Sequence, residues 1–475
     1  MATFIQKMDE NSGRKAMSKP LPKNSFLQGI WEPISLECDI NDPIVIGKIP
    51  EELNGTFFRN GPNPQYVYSD KYHMFEGDGM IHAITFKNGH VHYKNRWIRT
   101  ERFLAERKAR KSLFGGMRDN GACDESVANC SRNTANTNVI WHHNKLLALN
   151  EGSQPVEITK DTLTGCNFYT FNEVFNRSMM AHPKIDPVTG ELIFYSYFGP
   201  DFSYFIVNKN GKITHQEKII MPFKCMMHDF AITEHFNIFP LFPLTWDFQR
   251  MMRGEPMFKW EPNLNTRFAI IPRYGKESDV ILFEDQAALG FHVVNAHEEK
   301  DKIILEMVVI DDIASDTIAF ADDDVTYVNY FTRWIFDLKK RTITKERLDD
   351  INVEFPRIDE RFTGRNNRHA FMNGTISKSV PNLFDSIIHY DVTTNKKQVH
   401  YFGEGSYPLE PIFVPRLVNA EEGDGFLLSY VYREAFNRSD LVILDAKQID
   451  AEPLAIVQLP HRIPFGFHGC WVNKE

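Results

Sequence analysis

Short apolar runs separated by turn residues recur along most of the chain and predict β-hairpins. In "FIVNKNGKITHQEKII" (residues 205–220) an Asn-Gly turn joins two strand-like runs, which is a strong short-range hairpin signal. The stretch "TGELIFYSYFG" (189–199) is a turn followed by a strand. The scheme of strand, polar turn and second strand recurs in "YFTRWIFDLKKRTITKERL" (330–348), "IIHYDVTTNKKQVHYFG" (387–403) and "LVILDAKQIDAEPLAIVQL" (441–459).

This recurring unit favours a β-propeller, because each blade covers its faces against neighbouring blades and therefore recurs around an axis. The units are too diverged to give a fixed period, so the pattern does not give the number of blades. We expect one domain over residues 25–475, after a mobile N-terminal tail of residues 1–24. Helical patterns are confined to residues 102–116 and 243–255, in insertions of the kind that commonly build propeller binding sites.

The composition limits the partners and the compartment of the 475-residue chain. Hydrophobic residues make up 42% and aromatic residues 13%, which suggests an extensive sheet core or a cavity lined by rings. A net charge of −9 without a basic face argues against nucleic acid as a partner. Six scattered cysteines, a polar first stretch and no apolar run of about 18 residues predict a cytoplasmic protein with reduced thiols.

Four of the 17 histidines lie in apolar settings near predicted strand boundaries: His182, His228, His292 and His468. A buried neutral imidazole needs a partner, and both a metal ion and an ordinary core hydrogen bond satisfy it. No local metal-binding motif in the sequence supports a metal ion as that partner. In a propeller, however, histidines of different blades can all project onto the axis. Four neutral nitrogens would suit a divalent ion such as Fe, Cu or Zn.

Two further choices concern the surroundings of these rings. His297 competes with His292, but the two are expected on opposite sides of one strand, and the apolar run "LGFHVV" favours His292. A ligating imidazole commonly donates its other N–H to a carboxylate. Glu151, Glu354 and Glu410 lie in apolar, strand-like surroundings and are the candidates for that role, with solvated edge carboxylates as the plainer alternative.

Eight motifs in order make the chain resemble the carotenoid cleavage oxygenases, a family that includes lignostilbene dioxygenases and the retinal-pigment isomerase. They are "NGPNP" (60–64), "FEGDGMIH" (75–82), "AHPKIDPVTGEL" (181–192), "MMHDFAIT" (226–233), "FHVVNAHEE" (291–299), "EFPRID" (354–359), "EPIFVPR" (410–416) and "GFHG" (466–469). The resemblance covers nearly the whole chain.

The resemblance implies a seven-bladed β-propeller with a helical and loop dome over one face. It also implies one Fe(II) per chain, held by His182, His228, His292 and His468, with Glu151, Glu354 and Glu410 as the carboxylates behind the rings. The expected reaction is cleavage of one C=C bond of a conjugated, apolar small molecule by O₂ into two carbonyl products. No catalytic acid or base beyond the metal is expected.

Two positions bear on the substrate. Stilbene-cleaving members of this family carry Tyr and Lys where this chain has Met117 and Asn150, and neither of these can deprotonate a phenol. Met is apolar and adaptable, which suits contact with a polyene. The sequence therefore favours a carotenoid or apocarotenoid, with a lignostilbene or other stilbene as the alternative.

Other classes remain as alternatives at this stage. A calcium-dependent propeller hydrolase is suggested only by the acidic stretch "ADDDVTYVN" (321–329), which lacks EF-hand spacing. A non-enzymatic propeller and an isomerase are two more. The run "FNIFPLFPLTW" (236–246) suggests either a tunnel lining, a transient membrane-surface contact or a buried strand and turn. The oligomeric state does not follow from the sequence.

Overall fold

The computed structural model describes residues 21–119, 121–172, 174–198, 201–310, 313, 327–377 and 383–474. Residues 1–20 of the predicted tail lie outside this range. The chain is already anchored at Asn24, whose side-chain amide donates to the carbonyl of Tyr72 over 2.7 Å.

Within the described residues the chain forms 33 strands and two α-helices. The first strands are β1 Asp39–Asn41, β2 Val45–Gly47, β3 Gly55–Pro62, β4 Gly79–Lys87, β5 His90–Trp97, β6 Asn138–His142, β7 Lys145–Leu149, β8 Val156–Ile158, β9 Asn167–Phe168, β10 Lys184–Ile185 and β11 Leu192–Ser196. Next come β12 Phe202–Val207, β13 Ile213–Ile219, β14 Ala231–Ile232, β15 Phe236–Leu241, β16 Leu244–Trp246, β17 Phe258–Trp260, β18 Thr266–Pro272, β19 Ile281–Asp285, β20 Leu289–Glu299, β21 Lys302–Ile310 and β22 Tyr330–Asp337. The last are β23 Thr342–Arg347, β24 Asn352–Ile358, β25 His369–Thr375, β26 Ser386–Asp391, β27 Lys396–Tyr401, β28 Ser406–Pro408, β29 Ile412–Pro415, β30 Gly425–Arg433, β31 Arg438–Asp445, β32 Ala455–Gln458 and β33 Gly469–Asn473.

These strands form a seven-bladed β-propeller. Blade 1 has the order β1-β5-β4-β3-β33, and blades 2, 3, 5 and 6 are the four-stranded meanders β6–β9, β10–β13, β20–β23 and β24–β27. Blade 4 has the order β14-β15-β18-β19, with the hairpin β16-β17 inserted. Blade 7 contains β2-β32-β31-β30-β28, with β29 also paired to β30. Neighbouring blades contact one another through β33, β6, β14, β20, β24 and β29, which therefore surround the axis.

Both ends of the chain close the ring. The C-terminal β33 pairs antiparallel with β3, with Phe57 opposite Trp471. The N-terminal β2 pairs with β32 at the outer edge of blade 7, with Val45 opposite Val457. Because each closure joins segments from opposite ends of the sequence, the ring forms only once the whole chain is in place.

The hairpins predicted from the pattern are confirmed. Residues 205–220 span β12 and β13, 330–348 span β22 and β23, 387–403 span β26 and β27, and 441–459 span β31 and β32. The two helical predictions hold only in part. Helix α1, Glu101–Ala109, ends earlier than expected because Arg110 adopts a left-handed conformation with φ of 56°. Helix α2, Phe248–Met252, follows a short strand, β16, that takes up the start of the second helical stretch.

The core lies between adjacent blades, where apolar strand faces meet. Rings of neighbouring strands stack there, as for Phe194 on Phe205 at 5.0 Å and Phe371 on Phe413 at 5.7 Å between ring centroids. Segments outside the blades pack together as a cover: Phe26 contacts His73, and the Gln65 amide donates to the carbonyl of Phe103 in α1.

The run at residues 236–246 is buried rather than presented at a surface. Phe236 is half-buried, and the rest of the run belongs to β15, β16 and their connection, all buried. Of the three readings, a buried strand and turn is the one observed. Among the described residues, neither α-helix has the length or the apolar character needed to cross a bilayer.

Candidate metal centre

Each of the seven blades supplies one residue to a cluster on the axis. In blade order these residues are His468, Glu151, His182, His228, His292, Glu354 and Glu410. Five of them lie in, or within three residues of, a strand that surrounds the axis, whereas His182 lies two residues before β10 and Glu151 two residues after β7. This placement explains how positions far apart in sequence meet at one point.

The four histidines that the sequence singled out come together. Their potential ligand atoms all lie within 4.8 Å of one another. The Nε2 atom of His228 is 3.0 Å from that of His182 and 3.2 Å from that of His292. His182, His292 and His468 are buried and His228 nearly so.

The three glutamates lie behind three of the rings. The Nδ1–H group of His228 donates to Glu151 over 2.5 Å, that of His292 donates to Glu354 over 2.5 Å, and that of His468 donates to Glu410 over 2.8 Å. Each hydrogen bond fixes the ring tautomer and direction, as outer carboxylates do around protein metal ions.

Each carboxylate is itself oriented by a second donor. The Tyr197 hydroxyl donates to Glu151, the backbone N–H of Phe355 donates to Glu354, and the backbone N–H of Gly469 donates to Glu410. The glutamates are therefore fixed acceptors rather than solvated edge groups.

The donor chemistry fits a cation at the centre. Because Nδ1 of His228 and of His292 donates its proton, the neutral rings turn unprotonated Nε2 lone pairs toward each other at 3.2 Å. Two lone pairs at that distance repel unless a positive charge lies between them. Four imidazole nitrogens suit a borderline divalent transition metal better than Mg²⁺ or Ca²⁺, which prefer oxygen ligands.

The electrostatics favour the neutral form at two of the four histidines. Burial lowers the pKa of His182 well below its usual range and that of His468 to about 4, so both rings favour the neutral, ligating form. Burial also opposes the charged form of His292, but the Glu354 carboxylate outweighs it and raises the pKa of that ring. For Glu410, burial favours the acid, yet the nearby Arg357 guanidinium dominates and lowers the pKa to about 2.

Irregular strands aim two of these groups. The register of β20 against β21 shifts between Gly290 and Val293, and that of β24 against β25 shifts between Glu354 and Arg357. Such bulges commonly redirect side chains next to functional sites. Phe355 lies in the second bulge with φ of 54°, a strained conformation for a bulky residue. Its ring stacks on His292 at 5.5 Å between centroids.

Two regions border the cluster. The first, the aromatic group, consists of rings that contact the histidines or one another: Phe75, Phe291, Phe355, Phe465 and Phe467. The second, the axial cavity, has a volume of about 380 Å³ and is bordered by three of the four histidines. Its wall carries the charged side chains of Lys184, Asp229, Arg357, Glu360, Arg361 and Glu410.

The remaining sequence-based candidates lie apart from the cluster or have other partners. His297 is in β20 with His292, but its Nε2 faces Glu299 at 3.4 Å. Of the acidic stretch 321–329, residues 321–326 lie outside the described residues. Sequence reasoning missed Lys184, Asp229 and Arg357, although Asp229 directly follows His228 in a motif that had been noted.

The two substrate-pocket candidates, Met117 and Asn150, each have hydrogen-bond partners of their own. Met117 is 42% exposed, and its backbone N–H donates to Glu76 over 2.7 Å. The Asn150 amide donates to Thr134 and Asn136, and its carbonyl accepts from the backbone N–H of Gly152. The Asn150 side chain therefore joins the loop after β7 to the segment before β6.

Comparison with known proteins gives matches over nearly the whole chain. Residues 31–473 match the family described as Retinal pigment epithelial membrane protein. Isoeugenol monooxygenase of Pseudomonas nitroreducens is 40% identical over 94% of this chain and 98% of that protein. Carotenoid 9,10(9',10')-cleavage dioxygenase 1 of Arabidopsis thaliana is 34% identical over 95% of this chain and 90% of that protein. The crystal structure of Pseudomonas brassicacearum lignostilbene dioxygenase is similar with a TM-score of 0.91 and 34% identity, covering 96% of this chain and 100% of that one.

Proposed function

The chain belongs to the Retinal pigment epithelial membrane protein family of carotenoid cleavage oxygenases, and we propose that it is a non-haem Fe(II) dioxygenase acting on a carotenoid or apocarotenoid. In the proposed reaction both bonds of one C=C break and each carbon takes one atom of O₂, which gives two carbonyl products. The observation that carries the proposal is the convergence of four imidazoles, three of them backed by carboxylates.

His182, His228, His292 and His468 would hold the iron through ring nitrogens. When bound, Fe(II) supplies the one-electron chemistry with O₂ that closed-shell side chains lack. Four neutral ligands add no negative charge to the ion. The three glutamates supply that charge from behind the rings, while they hold the rings in direction.

The aromatic group would position the substrate. Phe75 packs on Phe467, and Phe467 stacks against His468, with centroid distances of 5.5 Å and 6.5 Å. Flat rings next to the cluster suit a flat conjugated molecule, which they can hold by stacking and shield from water. Holding one C=C bond at the cluster is the main contribution such a site makes to rate and to the choice of bond.

The neighbourhood of Asn150 supports a polyene over a phenol. A phenolic substrate is activated by a group that takes or shares its proton, and the Asn150 amide is neutral and already donates to Thr134 and Asn136. Met117 offers only an apolar side chain. A carotenoid or apocarotenoid requires neither proton transfer nor a polar anchor at these positions.

A second candidate substrate is an alkene conjugated to a phenol ring. The 40% identity to a protein named isoeugenol monooxygenase and the TM-score of 0.91 to a lignostilbene dioxygenase favour it. This reading requires the phenol to be held by groups other than Met117 and Asn150.

A substrate panel tests the proposal. Protein stripped of metal is reloaded with Fe(II) without air, then exposed to ¹⁸O₂ with an apocarotenal, isoeugenol or 4-hydroxystilbene. We expect about one Fe per chain and two aldehydes from the apocarotenal, each carrying ¹⁸O. Preferred cleavage of isoeugenol or the stilbene would replace the polyene by the second candidate. A product of unchanged mass would indicate isomerisation, and bound calcium or the absence of iron uptake would overturn the oxygenase proposal.

A further inference from the structure

One of the four histidines lacks the support that the other three share. Among the described residues, a carboxylate accepts from His228, His292 and His468, whereas none accepts from the ring of His182. The backbone N–H of His182 donates to the sulfur of Met180, a weak acceptor. Something else must fix the position of His182 relative to its neighbours.

A fourth buried acid lies where that support is missing. Asp229 directly follows His228, and one of its carboxylate oxygens lies 2.7 Å from the ammonium of Lys184, two residues after His182. The other oxygen accepts from the backbone N–H of Val293, the residue after His292, over 2.8 Å. A single carboxylate thus joins three of the segments that carry the histidines.

The burial of the pair makes it a firm connection. The side chain of Asp229 is 2% exposed and that of Lys184 is 18% exposed, and both lie on the wall of the axial cavity. A buried charge pair with further hydrogen bonds resists separation, because breaking it leaves a charge without a partner in a low dielectric. The same acid also accepts from the backbone N–H of Phe230 over 2.7 Å, so its direction is set locally.

We propose that the Lys184–Asp229 ion pair is the positioning element for His182, and that it does for this ring what the glutamates do for the others. The pair acts on the backbone rather than on the imidazole. It holds the segment of blade 3 that carries His182 against the segments of blades 4 and 5 that carry His228 and His292. Neither residue is one of the four proposed metal ligands or a member of the aromatic group.

This inference rests on the proposed metal centre, and its test is metal binding rather than turnover. Co(II) is the probe, because its visible absorption reports ligand geometry and it binds sites built for Fe(II) or Zn(II). The affinity of metal-free protein for Co(II) is measured by competition with a chelator, and the visible spectrum is recorded at saturation. We expect Asp229→Asn and Lys184→Met to weaken Co(II) binding about 10-fold to 100-fold, as loss of outer partners does elsewhere, and to shift the absorption bands.

The matched control is Glu306→Gln. Glu306 also forms an ion pair with a partly exposed cation, Arg333, with side-chain exposures of 3% and 22%, but the pair joins β21 to β22 within blade 5. Loss of this pair should lower the melting temperature about as much as Asp229→Asn and Lys184→Met do. Its Co(II) affinity should stay within about twofold of wild type, and the spectrum should be unchanged. Lys184→Arg retains the positive charge, and this variant should bind Co(II) with nearly wild-type affinity.

The outcomes separate this inference from the metal centre itself. Wild-type protein that takes up no Co(II) would overturn both. Wild-type protein that loads normally, with Asp229→Asn and Lys184→Met matching it in affinity and spectrum, would overturn only the positioning role. If Asp229→Asn does not fold, Lys184→Met alone decides, because it leaves the two backbone hydrogen bonds to Asp229 intact. If Glu306→Gln weakens Co(II) binding as much as Asp229→Asn and Lys184→Met do, the Lys184–Asp229 pair contributes only general stability, and the inference is overturned.

Discussion

The four histidines lie between rings in one region and charges in another. The aromatic group contains five phenylalanines, whereas the wall of the axial cavity carries lysine, arginine, aspartate and glutamate side chains. Phe355 borders both, since its ring stacks on His292 and it also lines the cavity. The cluster therefore borders a region of rings on one hand and a cavity of mixed lining, which includes charged side chains, on the other.

This difference separates two tasks of the site. Charges that hold ligands in place are most useful behind the rings, where they offset the charge of a metal ion. The same charges beside an apolar substrate would have to be desolvated each time it bound, at a cost of several kcal/mol per ion. By keeping Arg357 and Glu410 in the cavity wall and phenylalanines in the aromatic group, the chain keeps metal support out of the proposed substrate region.

The largest expected effect comes from removing a histidine that both regions contact. His292→Ala should abolish metal retention and turnover, because it deletes one ligand and leaves Glu354 without its partner. Metal content per chain after desalting, measured by elemental analysis, provides the check. His297→Ala is the control in the same strand and should keep the metal; the reverse result would contradict the assignment of His292.

The next prediction concerns a charged residue in the wall of the axial cavity. Glu410→Gln should weaken metal binding about 10-fold and lower the free energy of unfolding by about 3 kcal/mol, because Arg357 loses a buried carboxylate 3.7 Å away. Chemical denaturation and metal competition measure the two effects.

Glu354→Gln is the comparison for Glu410→Gln. No cation forms an ion pair with Glu354 among the described residues, apart from His292 itself. This variant should weaken metal binding to a similar degree with a smaller loss of stability. Equal destabilisation by the two variants would argue against a special role for the Arg357 contact.

Substitutions in the aromatic group should affect turnover rather than metal binding. Phe75→Leu removes a ring that packs on Phe467, and we expect kcat/KM to fall about 5-fold while metal affinity is unchanged. Steady-state kinetics beside metal competition separates these effects. Phe371→Leu, in a stacked pair with Phe413 between blades 6 and 7, should cost stability only; weaker metal binding in Phe75→Leu would show that the two regions are not independent.

The smallest expected effect concerns the preference between a stilbene and an apocarotenal. Combining Met117→Tyr with Asn150→Lys introduces the residues that the family resemblance assigns to stilbene-cleaving members, and we expect a gain of about 3-fold in turnover of 4-hydroxystilbene, the effect of one modest hydrogen bond. The ratio of stilbene to apocarotenal turnover is the measurement. An unchanged ratio would mean that these two positions do not govern recognition of a phenol.

Much of the fold and part of the site were predictable because the signals are local. The apolar run of β12, the alternation in β13 and the turn between them lie within one stretch, so strand pattern and turn chemistry suffice to predict the hairpin. The histidines and glutamates were found for a related reason: an imidazole or carboxylate within an apolar run needs a partner, wherever that partner lies.

What the sequence determined by itself was the blade unit, the apolar setting of the four histidines and the three glutamates, and the resemblance to an oxygenase family. Only the tertiary structure decided that seven blades close the ring, that one residue from each blade reaches the axis, and that Asp229 joins three of those segments. It also decided that Met117 is partly exposed and that the Asn150 amide donates to the segment before β6. The physical reason is range: turns and strand periods depend on neighbours in sequence, whereas convergence at the axis depends on β33 pairing with β3 and β2 with β32, contacts that span the whole chain.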